Sequence, residues 1–143
     1  LLLSATAAES LETTFSTLAT SMPAQRFEAL RERVLNAAVD EAERSWLRAK
    51  IRNGPTYRDR LAELVSTPDQ LARAIVIDDA DQWVRNLVTA RNALAHTGNY
   101  EGGTNMFDLE LQTVKLLTLV LMHRLDLRPE VQQRAASLLR RYA

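Results

Sequence analysis

Apolar residues recur at three- and four-residue steps through nearly the whole chain, and its four Gly and four Pro fall between those runs. That rhythm places one apolar stripe along each of several helices. No segment alternates with period two, so strands have no pattern to form on. The expected fold is all-α, a bundle of four to five long helices with short ones between them. At 143 residues, with 46% hydrophobic and 25% charged, the chain suits one domain with a core of its own.

Six helical segments and a terminal one are expected. The first covers about Leu2 to Leu18, with Leu3, Ala7, Leu11, Phe15 and Leu18 as its stripe. The second opens at Ser21 and Pro23 and runs unbroken to about Ile51, facing in with Phe27, Leu30, Val34, Leu35, Ala38, Ala42 and Trp46. "RNGPT" breaks it at Gly54 and Pro55. A short third segment follows, Tyr57 to Val65. In "TPDQ", Thr67 is placed to cap, Pro68 to take the first helical position and Gln70 to reach back, opening a short helix to Ile75. The fifth spans about Asp81 to His96 and the sixth Phe107 to Leu125; the last runs from Pro129 to Tyr142.

Several functions are excluded or narrowed by composition. Basic and acidic residues number 18 each, so a broad electrostatic grip on nucleic acid is absent and any RNA contact must be local. Nearly all the basic residues are Arg; Lys50 and Lys115 are the two lysines. Without Cys there are no disulfides or thiolate metal sites, which is compatible with a cytoplasmic protein. "VKLLTLVLM" is far short of the roughly 20 apolar residues of a membrane span. The chain does not begin with Met and is expected to be a piece of a longer protein. No cofactor or metal is expected. Asp78, Asp79 and Asp81 read as helix caps, His123 as a packed or helix-end histidine, and Arg140 and Arg141 as charges complementing a helix dipole. Trp46 and Trp83 read as core.

One stretch departs from this pattern: "VTARNALAHTG", residues 88–98. The stripe Val84, Leu87, Val88, Leu94 and Ala95 runs past position 91, where Arg91 stands. A guanidinium stays charged, so there it must be paired or must line a cleft or an interface. Asn92 and His96 are four apart and share a face, so the Asn amide can hold the imidazole in one tautomer. Arg91 and His96, five apart, lie roughly 140° from each other around the helix and flank one wedge of surface. Gly98 is placed to end the helix in the left-handed conformation, leaving His96 in the last turn.

An imidazole and a guanidinium at one rim suit attack of an RNA 2′-hydroxyl on its own phosphate. Histidine takes and gives protons near neutral pH. Arginine matches phosphate oxygens with its fork and stabilises the crowded phosphorane. One histidine cannot readily be base and acid at once, which makes a two-fold dimer chemically attractive. The plainer alternative keeps both residues as structural groups of a bundle or a dimer seam, tested there by charging Leu87 or Leu94.

"RNALAH" resembles the R-x(4)-H motif of the HEPN superfamily, and its R-N-x-L-x-H form, late in a long helix and followed by a loop and another long apolar helix, is most similar to the Apea-like HEPN branch. "AAESL" is similar to that branch's A-L-E-x-L, with Glu9 at the acidic position; "YRDRLAELV" and "DQWVRNLVTARN" agree in spacing and in their Trp. The resemblance covers about Ala7 to Leu127. It implies an all-α bundle that dimerises through its motif helices. It further implies a metal-independent endoribonuclease acting on single-stranded RNA in a phage-defence or toxin–antitoxin setting, often as one domain of a longer protein. Arg91 and His96 would then be catalytic, Asn92 supporting, and Glu9 a partner of Arg91. Some members are inactive scaffolds, so a non-catalytic interaction or RNA-binding module is the alternative. Certain toxin members carry H-x-Y; here Tyr100 stands four residues after His96, which puts that mode of control in doubt.

Overall fold

The computed structural model describes residues 1–141. Among them are eight helices and no strand: α1 (Leu2–Phe15), α2 (Ala24–Asn36), α3 (Glu41–Lys50), α4 (Tyr57–Ser66), α5 (Gln70–Val76), α6 (Ala80–Thr97), α7 (Met106–Arg124) and α8 (Pro129–Arg141). Tyr142, the expected end of the last helix, lies outside the described residues. The chain divides into two compact units, one of residues 17–56 and one made by the rest.

The larger unit holds the core. Leu61, Leu64 and Val65 of α4 meet Trp83, Val84, Leu87 and Ala90 of α6, with Leu109, Leu116, Leu119 and Val120 of α7 filling the centre. Burying side chains of this size stabilises by about 1.5–3 kcal/mol each before the entropy cost of ordering them. α1 enters through a face rotated from the expected one, on which Leu11 of the expected stripe still packs against the core. Leu3 and Ala7 are exposed, whereas Ser4, Ala5 and Ala8 are buried. Small residues let α1 lie close against α4 and α7, so close approach decides its register rather than the larger Leu3. Its exposed threonines satisfy themselves: Thr6, Thr13 and Thr14 donate to carbonyls four residues back.

α1 stops at Phe15, three residues before the expected Leu18. Arg124 accounts for the stop, because its Nη2 donates to the Phe15 carbonyl at 3.1 Å and its guanidinium lies over the Phe15 ring. Ser16 then hydrogen-bonds the Glu63 carboxylate, drawing the chain off the helix axis.

The α5 cap also differs from expectation. Thr67 does not cap; its hydroxyl donates back to the Glu63 carbonyl. Asp69 caps instead, accepting from the Ala72 amide at 2.9 Å. Two glutamines of α8 fasten this turn. Buried Gln132 accepts from the Asp69 amide at 3.0 Å and donates to the Leu127 carbonyl at 2.8 Å, and Gln133 donates to the Asp69 carboxylate at 2.9 Å. The Ala72 amide, then the Gln133 amide, hold the Asp69 carboxyl below its ordinary value of 3.8.

The smaller unit is a helical hairpin of α2 and α3. The single helix expected from Pro23 to Ile51 is broken between Asn36 and Glu41. Asp40 caps α3 by accepting from the Glu43 amide at 2.8 Å, and the Glu43 carboxylate reaches back to the Val39 amide at 2.6 Å. That reciprocal pair satisfies donors a continuous helix would have used, so a local cap overrides the periodicity. Asn53 closes the base of the hairpin, exchanging two side-chain hydrogen bonds with the Met22 backbone. No residue of α2 or α3 is buried, and Trp46, expected in the core, is exposed.

Candidate functional site

α6 presents the site. Asp79 caps its start, accepting from the Gln82 amide at 2.8 Å. Gly98 ends it at φ 69° with its amide on the Leu94 carbonyl. A left-handed residue is needed there, and glycine takes it without Cβ strain. Between these ends Trp83, Val84, Leu87 and Ala90 face the core, and Leu94 is half-buried. Leu87 is fully buried, so it is a core residue and unsuited to the seam tested by charging it.

Arg91 lies at the border of this buried face, with its side chain 34% exposed. Three groups surround its guanidinium. Nη2 is 3.4 Å from Oε2 of Glu9 on α1, which is itself 37% exposed. Nη1 donates to the Asn92 side-chain carbonyl at 3.3 Å. The Tyr57 ring at the start of α4 lies beneath, its centroid 5.4 Å from Arg91 Cζ. The arginine is thus paired and partly open to solvent at once.

These contacts orient more than they stabilise. A half-exposed ion pair contributes roughly 0.2–1 kcal/mol, and an exposed cation–π contact about 0.5–1 kcal/mol. A phosphate that takes both arms of the guanidinium can therefore displace Glu9 at small cost, while the tyrosine ring still holds the plane.

His96 is exposed in the last turn of α6, and its ring makes no hydrogen bond to the described residues. The expected Asn92–His96 contact is not formed; the Asn92 side-chain oxygen accepts from Arg91 instead. Five residues separate Arg91 from His96, about 7.5 Å along the helix axis. The imidazole is free to meet a ligand that also reaches the guanidinium.

Other candidates fall elsewhere. Asp79 is a cap, and among the described residues no group of three or more His, Asp and Glu is placed to hold a metal ion. His123 is exposed in the last turn of α7. Trp83 is core. Tyr100 packs partly buried against the core, with its ring filling the space above Gly102. Tyr57 is the residue that sequence reasoning did not bring to the site. Its only sequence signal is an aromatic at the first position of a helix after "GPT".

Eight helices and no strand among the described residues, with an R-x(4)-H pair closing a long helix, make the HEPN-like fold. The chain matches the Apea-like HEPN family over residues 2–131 and belongs to it. Neither the curated proteins nor the solved structures contain a significant match. No helix of the described residues is long and apolar enough to cross a membrane.

Proposed function

We propose that this chain is the endoribonuclease domain of a phage-defence or toxin–antitoxin protein, and that it cuts single-stranded RNA as a homodimer without a metal ion. The observation that carries this reading is the pairing of an oriented, half-exposed guanidinium at Arg91 with an exposed, unengaged imidazole at His96 on one helix. In the reaction a 2′-oxygen attacks the adjacent phosphorus, giving its proton to a base. The bond to the 5′-oxygen breaks, and that oxygen takes a proton from an acid. The products are a 2′,3′-cyclic phosphate and a 5′-hydroxyl. Arg91 carries the charge that builds on the phosphoryl oxygens, with Asn92 and Tyr57 fixing its plane. His96 supplies one proton transfer, and the partner copy's histidine the other.

A homodimer finds support in α7, the helix after the motif helix. Phe107, Leu111, Val114, Thr118, Leu121 and Leu125 follow each other at alternating four- and three-residue steps. Phe107 and Leu125 are 72% and 73% exposed, and Val114 and Leu121 are also exposed. The opposite side of α7 is core, so this helix carries two apolar faces, the buried one and this stripe, with Asp108, Gln112 and Lys115 on the flank between them. An exposed apolar stripe at this spacing is suited to a helix–helix seam. α6 packs on α7, which supports a dimer in which a seam on α7 brings the motif helix of each copy close to the interface.

Incubation with a labelled single-stranded RNA tests the proposal. Cleavage in excess chelator, with 2′,3′-cyclic phosphate ends, is expected for the wild-type chain and not for His96→Ala. A His96→Ala protein that cuts as fast as wild type overturns the catalytic reading and leaves the interaction module.

A further inference from the structure

We propose that a cavity on the flank of α7, bordering the bare stripe at Leu111 and framed by α5, α7 and α8, binds a free α-amino acid. The cavity measures about 230 Å³. Lys115 lines it and is only 9% exposed, so nine-tenths of this residue is taken from water. No ion pair or hydrogen bond holds its ammonium among the described residues, and the nitrogen is not sealed from solvent. A lysine sheathed this far ordinarily spends its charge on a carboxylate.

Two carboxylates stand at the same cavity and leave it unpaired. Asp78, in the turn between α5 and α6, and Asp108, in the first turn of α7, both line the wall; so does Arg140, near the end of α8. None of these four charges lies within 4.0 Å of another. Two cations and two carboxylates thus surround one small space without neutralising each other.

The charge pattern selects the ligand. A simple anion satisfies Lys115 and Arg140 but is repelled by Asp78 and Asp108. A simple cation meets the reverse. A neutral apolar molecule leaves the ammonium without an acceptor. A zwitterion answers both pairs: its carboxylate faces Lys115 and Arg140, and its ammonium faces Asp78 and Asp108. Ile75, Val76 and Leu111 supply an apolar wall for a short side chain, and Gln112 adds an amide to the lining. The volume is below that of drug-sized sites, which restricts the occupant to one small molecule. The site needs neither Arg91 nor His96, so it stands independently of RNA cleavage.

Titration of the full chain with each of the twenty common L-amino acids, one at a time, tests the proposal by calorimetry and by ¹⁵N amide shifts. At least one amino acid is expected to bind and to move the amides of Ile75, Asp78, Asp108, Gln112 and Lys115. Acetate and methylammonium, which each carry half of the charge pattern, are expected to bind at least tenfold more weakly. Lys115→Met keeps the length of the buried stem and removes the charge; it should lose at least tenfold in affinity. Asp108→Asn, at an exposed position, should also weaken binding. The proposal is overturned if no amino acid shifts these amides at millimolar concentration. It is equally overturned if acetate or orthophosphate binds as tightly as the best amino acid, or if Lys115→Met and Asp108→Asn bind it as wild type does.

Discussion

Arg91 and Glu9 are 82 residues apart in the chain, and their charged groups meet at 3.4 Å. The pair joins α1 to α6 at the edge of the core, where both side chains keep about a third of their surface in water. An ion pair so exposed contributes little to stability, so its role is positional. Glu9→Gln is therefore expected to change the unfolding free energy by less than about 1 kcal/mol in a urea titration. Arg91→Ala should cost RNA cleavage about 10²–10³-fold, the loss seen when one transition-state donor is removed. Arg91→Lys should not restore it, because an ammonium cannot make the two-armed phosphate contact.

The ring beneath Arg91 leads to a second expectation. Tyr57→Phe keeps the face on which the guanidinium rests, and Tyr57→Leu removes it. A cation–π contact of about 0.5–1 kcal/mol corresponds to a change of roughly two- to fivefold. Initial rates over a range of RNA concentrations should show that loss for Tyr57→Leu and its rescue by Tyr57→Phe. A merely structural role for the ring would instead lower the melting temperature of Tyr57→Leu and leave the kinetics of its folded fraction unchanged.

Much of this arrangement is legible in the residues alone, for a physical reason. A buried helix face must repeat near 3.6 residues, so α4, α6, α7 and α8 announce themselves by spacing, and Gly98 ends α6 because the left-handed turn costs glycine nothing. Arg91 stands out for the same reason, as a charge in an apolar stripe. Periodicity is silent on contacts between helices. It assigned α1 to the face with the bulkiest residues, while Ala5 and Ala8 win by letting helices approach. It ran α2 through Val39 because local hydrogen bonds of Asp40 and Glu43 carry no period. It placed Trp46 inside because spacing marks a face without showing that anything covers it. Tyr57 beneath Arg91 is a tertiary contact across α4 and α6, invisible in either segment taken singly.

The bare stripe of α7 separates two kinds of leucine. Leu121 is exposed and Leu87 is fully buried. Leu121→Glu or Val114→Glu is expected to turn a dimer into a monomer in sedimentation experiments and to leave the circular dichroism spectrum unchanged. Leu87→Glu puts a carboxylate in the core without a partner and should unfold the chain instead, at a cost of several kcal/mol. A wild-type chain that sediments as a monomer at high concentration removes the α7 seam, while His96→Ala still decides the nuclease reading separately.

The α5–α8 junction makes stability depend on acid. The Ala72 amide, chiefly, and the Gln133 amide lower the Asp69 carboxyl below 3.8 in the folded chain. A group depressed on folding stabilises the native state above its unfolded value, and that contribution disappears as pH falls through the lower, folded value. The Asp69 contribution should therefore be complete at pH 5 and above, and should fade as acid is added below about pH 4. Asp69→Asn keeps an oxygen to accept from Ala72 but carries no charge, so its stability should lie below wild type at neutral pH and converge on it in acid. Asp69→Ala also loses the cap, costing about 1 kcal/mol more at every pH. Urea unfolding of the three proteins between pH 3 and pH 7 measures these differences; parallel wild-type and Asp69→Asn curves across that range would show that the carboxylate's charge takes no part in holding α5 to α8.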